Sequence, residues 1–288
     1  MTFASALRWP FAVRVVLVTA ISVFILVPNA WLCQHVIGLI LEGASAVDWN
    51  QYVLAAGRFL DPPALYAVND HYAYHYSPFL APLFGALSPI GTDGWRVLHI
   101  AALATLPTWP MRIVTVLSWP FWFDVGTGNI LIFVVALAAW ALRGNQLVAM
   151  AYLVVLILVP RPLMMPVGVW LLWRQRELRF PFVALFFVHS VAVFVGGWSD
   201  EWIHALQAAA GDVLNPTNIG PSRFIGAWWI LLGMPLAGVL TWRGRLGWAA
   251  LAASLYWLPY YLLILLLELD PRTRKPRQIE DRVHSTND

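Results

Sequence analysis

The chain has 288 residues, of which 60% are hydrophobic and only 11% charged, with 17 Trp, a single cysteine and a formal net charge of +3; its mean hydropathy is +0.68. A soluble domain carries roughly a quarter charged residues, so the composition excludes an ordinary soluble globular domain and points to an integral membrane protein. One cysteine, Cys33, closes no intrachain disulfide and reads as a small core side chain, and there is no basic stripe on which nucleic-acid binding could rest.

In chain order, a hydrophobic run over about 11–32 follows Arg8. It is too long for the apolar core of a signal peptide and reads as an uncleaved first span with a cytoplasmic N terminus. An outer loop over 42–77 comes next and includes AVDWNQYVLAAGRFLDPPALYAVNDHYAYHYSP. Within it Trp49, Tyr52, Val53, Ala56, Phe59 and Leu60 recur at helical spacing, which predicts a short amphipathic helix in the interface. The Asp61-Pro62-Pro63 step stops it. A short span is expected over 78–87, a Gly91-Thr92-Asp93-Gly94 turn, and a further span over 95–109. The section 110–129, broken by Pro110 and Pro120, reads as an interfacial or re-entrant segment on the outer face.

Further spans are expected over 130–142, 147–159, 163–173, 180–195, 224–240 and 246–267, making about nine in an all-α polytopic membrane protein. Arg143, the cluster Arg174, Arg176 and Arg179, and the pair Arg243 and Arg245 fall on the inner side, whereas Arg161 falls on the outer side. The outer loop 196–222 holds Asp200, Glu201, His204 and Asp212. Residues 1–270 form one transmembrane domain, and the tail 271–288 is polar, without the composition of a packed core. The count leaves this partly basic tail outside, against the usual placement of Lys and Arg in the cytoplasm. Glu268 and Asp270 read as solvated ends of the last span.

Few residues carry chemistry. Asp48 lies just beyond the first span: a carboxylate held there can serve as a general base, or it can cap the helix that follows. His71 and His75 lie four apart, a spacing that permits a metal pair on one helix face, contact with a phosphate or hydroxyl, or a structural role. Arg161, between Pro160 and Pro162, suits phosphate contact or snorkelling to the headgroups. The turn Gly126-Thr127-Gly128-Asn129 can present backbone N–H groups to an anion, or simply connect two spans. No Walker A, CxxC or EF-hand pattern is present.

These signals fall in a recognisable order: Asp48, then Tyr52 and Ala55-Ala56-Gly57, then Leu65-Tyr66, Tyr76-Ser77-Pro78, Gly126 to Asn129, and Arg161-Pro162. In this the chain resembles the GT-C polyprenyl-phosphate-mannose-dependent mannosyltransferases of glycosyltransferase family 87, over about residues 13–179. It departs from them in Thr127, where the family's turn usually has Gln, in Arg161, where the basic-Pro step is usually Lys-Pro, and in its shorter C-terminal part. The resemblance implies a bacterial plasma-membrane enzyme with an outer-face active site. It would move a hexose, mannose by the family's donor, from a polyprenyl-phosphate donor to an extracytoplasmic glycan or glycolipid acceptor, with inversion. It implies Asp48 as the base and makes Arg161, His71, His75, Arg58, Tyr76, Thr127 and Asn129 the candidates for donor-phosphate or substrate contact, with no cofactor and no catalytic metal. The rival expectations are a non-catalytic polyprenyl-lipid-binding or translocating protein, and a membrane-assembly partner.

Overall fold

The structure, a computed structural model, describes residues 25–67, 74–211 and 217–270. Most of the first apolar run, His71, Asp212 and the tail 271–288 lie outside the described residues. The described residues are all-helical, with 79% of them in helices and no strand among them.

Helix α1 (Val27–Leu41) runs on well past the expected end of the first apolar run. Helix α2 (Val47–Gly57) is the predicted amphipathic helix, and it buries Trp49, Tyr52 and Ala55. It stops before Asp61, whose side chain accepts from the amide of Ala64 and caps the one-turn helix Pro62–Leu65. After α3 (Ala81–Leu87), the expected Gly91–Gly94 turn is instead the first turn of α4 (Gly91–Thr105). Only Gly91, at φ +65°, has the backbone of a bend. The reason is chemical: small and acidic residues that favour turns also favour the first turn of a helix.

The section 110–129 is not irregular but forms two short helices, α5 (Trp109–Val116) and α6 (Trp119–Thr127). Pro110 and Pro120 each sit in a first turn, where the missing N–H would have no intrahelical partner in any case. Asn29 of α1 fixes the joint between them: its Nδ2 donates to Leu117 O at 2.7 Å and its Oδ1 accepts from Trp119 N at 3.0 Å.

Helix α7 (Leu131–Ala141) is the centre of the molecule. It is apolar on every side, as a fully surrounded helix must be, with Leu131, Ile132, Val135, Ala138, Ala139 and Ala141 all buried. Against it pack α4, α8 (Gln146–Leu158) and the 3₁₀ segment Pro259–Leu269. Helices α9 (Met165–Arg174), α10 (Arg179–Val195), α11 (Ser199–Gly211) and α12 (Trp229–Trp242) complete the chain up to α13 (Leu246–Ala253).

Among the described residues, two helical stretches are long and apolar enough to cross a bilayer, Arg176–Val195 and Ser222–Trp242. Val27–Leu41, Leu131–Ala141, Gln146–Leu158 and Pro259–Leu269 are shorter apolar helices.

The expected span over 246–267 is overturned. Helix α13 ends at Ala253, and the 3₁₀ segment starts at Pro259, whose ring cannot continue a helix from the preceding turn. The two arms fold back on each other as a hairpin. Gly247 N donates to Glu268 Oε1 at 3.0 Å, and a Cβ on Gly247 would stand 2.8 Å from Ile264 O. Glu268 and Asp270 are therefore not solvated ends but buried and paired: Arg245 Nη1 meets Glu268 Oε2 at 3.2 Å, and Arg143 Nη2 meets Asp270 Oδ2 at 2.9 Å. Gln146 Nε2 also donates to Glu177 Oε1 at 2.7 Å. Arg143, Arg245 and the 174–179 cluster thus share one end of the molecule. The chain reaches residue 270 at that same basic end, the opposite of what one long span would give.

Candidate functional site

The site is built where α2, the α6–α7 turn, the Tyr74–Ser77 strip, the Pro160–Pro162 step and the hairpin tip meet. Asp48 is the second residue of α2. It does not cap that helix: the N-cap is Ala46, and no side chain accepts there. Its carboxylate instead turns to the next element, where Oδ2 accepts from Asn129 Nδ2 at 2.8 Å. Burial raises the Asp48 carboxyl above the ordinary carboxylate range, while hydrogen bonds from Asn129 and Thr127 and the nearby positive charge of Arg161 pull it part of the way back.

The α6–α7 turn can approach α2 so closely because of Gly128. It sits in the left-handed region at φ +72°, and a Cβ there would lie 2.8 Å from Trp49 Cβ and 3.2 Å from Ala46 Cβ. Its amide closes α6 on Asp124 O at 2.9 Å. Asn129 Oδ1 accepts from Ile130 N at 2.8 Å, which orients its amide so that the NH₂ faces Asp48. Trp49 stacks on Trp95 with ring centroids 4.6 Å apart.

Arg161 is held by chain geometry. Flanked by two prolines, it is extended (φ −89°, ψ 132°) and caps the 3₁₀ turn Pro162–Met164. Its guanidinium lies over the rings of Tyr76, 5.0 Å from the centroid, and Tyr261, at 5.6 Å. Nη2 donates to the hydroxyl of Tyr76. Nη1 is buried and has no hydrogen-bond partner among the described residues. Tyr76 in turn shares a 3.1 Å hydrogen bond with Tyr52. Burial pushes the Tyr76 phenol up to about 12, although Arg161 and Tyr52 oppose the shift; it stays protonated. Its main chain is clamped by Tyr66 Oη, which donates to Tyr76 O at 2.9 Å. The next residue, Ser77, is pinned to α10 through a 2.8 Å Oγ···His189 Nε2 bond.

The candidates from the sequence therefore divide. Asp48, Thr127, Asn129, Tyr76 and Arg161 come together. Arg58 is at the far end of α2, about 15 Å along the helix axis from Asp48 at 1.5 Å per residue, with Nη1 3.4 Å from Ala64 O. His75 joins the wall through its carbonyl, which accepts from Trp202 Nε1 at 3.1 Å. His71 lies outside the described residues, and no cluster of three or more His, Cys, Asp or Glu that could hold a metal occurs among the described residues.

Several members were missed. Tyr256, Tyr260 and Tyr261 come from the hairpin tip, and all interact electrostatically with Arg161. The Tyr256-Trp-Leu-Pro-Tyr-Tyr sequence, aromatic and broken by proline inside an apolar run, was the available signal. Asp124 and His99, buried behind Asn129, are lone ionisable residues in apolar stretches, which is itself a functional signal in a membrane protein. No protein-family model matches the sequence, and neither a curated protein nor a solved structure is significantly similar to it.

Proposed function

We propose that the chain is a polytopic membrane glycosyltransferase that moves a hexose, mannose by its resemblance, from a polyprenyl-phosphate donor to a glycan or glycolipid acceptor on the outer face of the bacterial plasma membrane. The membrane reading is supported by what the long helices leave uncovered. Only 17% of each apolar stretch, in Arg176–Val195 and Ser222–Trp242, is buried. The core helix of a soluble protein would be buried, and an apolar surface this large needs lipid or a partner. The arginines gathered at the end away from Asp48 mark the cytoplasmic side. Beside the hairpin tip, α12 and α13 form a wholly apolar groove with Trp229, Leu236, Leu240, Trp248 and Trp257 in its walls, a surface suited to an isoprenoid chain.

The observation that carries the reading is the pairing in one cluster of a half-buried carboxylate, Asp48, with the half-buried Arg161, whose Nη1 has no hydrogen-bond partner among the described residues. Inverting transfer needs both. The acceptor hydroxyl attacks the anomeric carbon and gives its proton to Asp48. The bond from that carbon to the phosphate oxygen breaks, and the negative charge gathering on the departing polyprenyl phosphate meets Arg161 Nη1 and the tyrosine hydroxyls around it. Asn129 and Thr127 hold the carboxylate in line.

The test is release of polyprenyl phosphate from short-chain polyprenyl-phosphate hexoses by the purified full chain, over a panel of glycan and glycolipid acceptors. Release that depends on acceptor supports transfer. Tight donor binding without release from any acceptor would move the reading to a lipid-binding protein on the same scaffold.

A further inference from the structure

We propose that His99 and Asp124 form a buried imidazolium–carboxylate pair that positions the turn holding Asp48. The charge state is inferred from hydrogen-bond geometry, whereas its effect on turnover rests on the function proposed above. His99 is fully buried on α4. Its Nδ1 is 2.9 Å from Trp95 O and its Nε2 is 2.6 Å from Asn129 O. Both partners are backbone carbonyls, which only accept. A neutral imidazole has one N–H and one lone pair, so either neutral tautomer would press a ring lone pair against a carbonyl oxygen. Only the imidazolium donates in both directions.

Asp124 has the complementary surroundings. It is fully buried on α6, and its Oδ2 accepts from Ile132 N at 3.0 Å. The Leu131 amide bonds to it as well. These are first-turn amides of α7, donors at the positive end of a helix. Oδ1 has no hydrogen-bond partner among the described residues. An environment made of donors calls for the ionised carboxylate, and the balancing cation is His99, with Nε2 3.8 Å from Asp124 Oδ2. Burial opposes both charges, and three other charged groups bear on the pair, of which Arg161 favours the Asp124 carboxylate. Arg96 opposes the charge on His99, but its own guanidinium is engaged by Asp93 Oδ1 and Ala44 O. Asp48 opposes the charge on Asp124 from beyond Asn129.

The consequence is a clamp. Trp95 and His99, one turn apart on α4, hold two consecutive carbonyls: Trp95 Nε1 donates to Gly128 O at 2.8 Å, and His99 Nε2 to Asn129 O. With its main chain fixed and its Oδ1 taken by Ile130 N, Asn129 turns its NH₂ to Asp48. His99 and Asp124 are thus positioning residues, acting on Asp48 through Asn129 without touching substrate.

The test is ¹⁵N NMR of the ¹⁵N-histidine-labelled full chain in nanodiscs, with His99 assigned by loss of its signals in His99→Gln. The expected result is that both ring nitrogens of His99 are protonated at neutral and mildly alkaline pH. Asp124→Asn should cost His99 one ring proton. Positioning is read without turnover from the Asn129 side-chain amide signal, assigned with Asn129→Ala, which should shift in His99→Gln. If transfer is measured, kcat of His99→Gln should fall about 100-fold, as expected when a reacting group is displaced by about 1 Å, with donor KM changed only a few-fold. A single ring N–H on His99 in the wild type at neutral pH overturns the pair, and an unmoved Asn129 signal overturns the clamp. An imidazolium signature with no transfer to any acceptor would uphold the pair and count against the glycosyltransferase reading instead.

Discussion

Two glycines in the same turn should respond in opposite ways to the same added methyl group. At Gly128 the backbone is left-handed (φ +72°), and a Cβ would stand 2.8 Å from Trp49 Cβ and 3.3 Å from Trp49 N. Holding an L-residue in that conformation costs about 1–2 kcal/mol. Forcing a methyl into closed packing costs about 1–3 kcal/mol more, because the obstacle is backbone and the root of a buried Trp rather than a flexible tip. Gly128→Ala should therefore lose about 2–5 kcal/mol of stability. Whatever shift relieves the clash separates Asn129 from Asp48, with an expected loss near 100-fold in transfer. Gly126 is helical, and its Cβ would meet Val36 Cγ1 and Ile40 at 3.5–3.6 Å, ordinary contact. Gly126→Ala should be neutral or gain up to about 1 kcal/mol from helix propensity. Thermal and denaturant unfolding in detergent, followed by the transfer assay on both variants, reads the contrast. Equal stability and equal activity of Gly128→Ala and Gly126→Ala would refute the close approach of the turn to α2.

Arg161→Lys keeps the charge but offers one compact donor head where Arg divides its N–H groups between Tyr76 and a phosphate. A charged hydrogen bond is worth about 1.5–3 kcal/mol, so donor KM should rise about 10–100-fold with circular dichroism unchanged; unaltered donor KM would remove Arg161 from the phosphate site. Because burial raises the Asp48 carboxyl and the reactive form is the carboxylate, kcat/KM should climb as pH rises through that elevated value and then level, a limb absent from any residual activity of Asp48→Asn. The sign for stability is the reverse: the folded chain holds that proton more tightly than the unfolded one, so this group's contribution is present at low pH and is lost as pH rises from the ordinary carboxylate range through the raised value. Asp48→Asn should consequently be at least as stable as wild type at neutral pH by thermal unfolding. On a Cys33→Ala background, Leu147→Cys and Ser285→Cys should react with an impermeant maleimide from the same side of sealed vesicles, and Leu60→Cys from the other. Labelling of positions 147 and 285 from opposite sides would show that 246–267 is a span and not a hairpin.

What the sequence disclosed follows from how local each signal is. The α2 helix was legible because its apolar spacing lies within one segment. Asp48 stood out because an acid beside a long apolar run has few ordinary reasons to be there. Its capping role was equally legible and does not occur, because Asn129, 81 residues away, captures the carboxylate; no local pattern reports such a partner. The break at Pro259 was present in the sequence. A run of apolar residues long enough for a span hid it, and reading that run as a span puts residue 270 at the opposite end of the molecule from Arg143 and Arg245. The pairings of Arg143 with Asp270 and of Arg245 with Glu268 help to identify the hairpin, and those contacts join residues 127 and 23 apart. The tyrosines around Arg161 were invisible for the same reason: they reach the site only once the hairpin folds back. Arg58 went the other way, near Asp48 in sequence but ten residues along a rigid helix from it.

The most direct measurement of the central claim is a single-turnover comparison of wild type and Asp48→Asn, with a short-chain polyprenyl-phosphate-mannose donor and an acceptor accepted by the wild type, alongside donor binding by each. The expected result is donor affinity within a few-fold of wild type and polyprenyl phosphate release lowered by at least about 100-fold, the lower end of the usual worth of a positioned general base. Release by Asp48→Asn at the wild-type rate would contradict it and remove Asp48 from the chemistry.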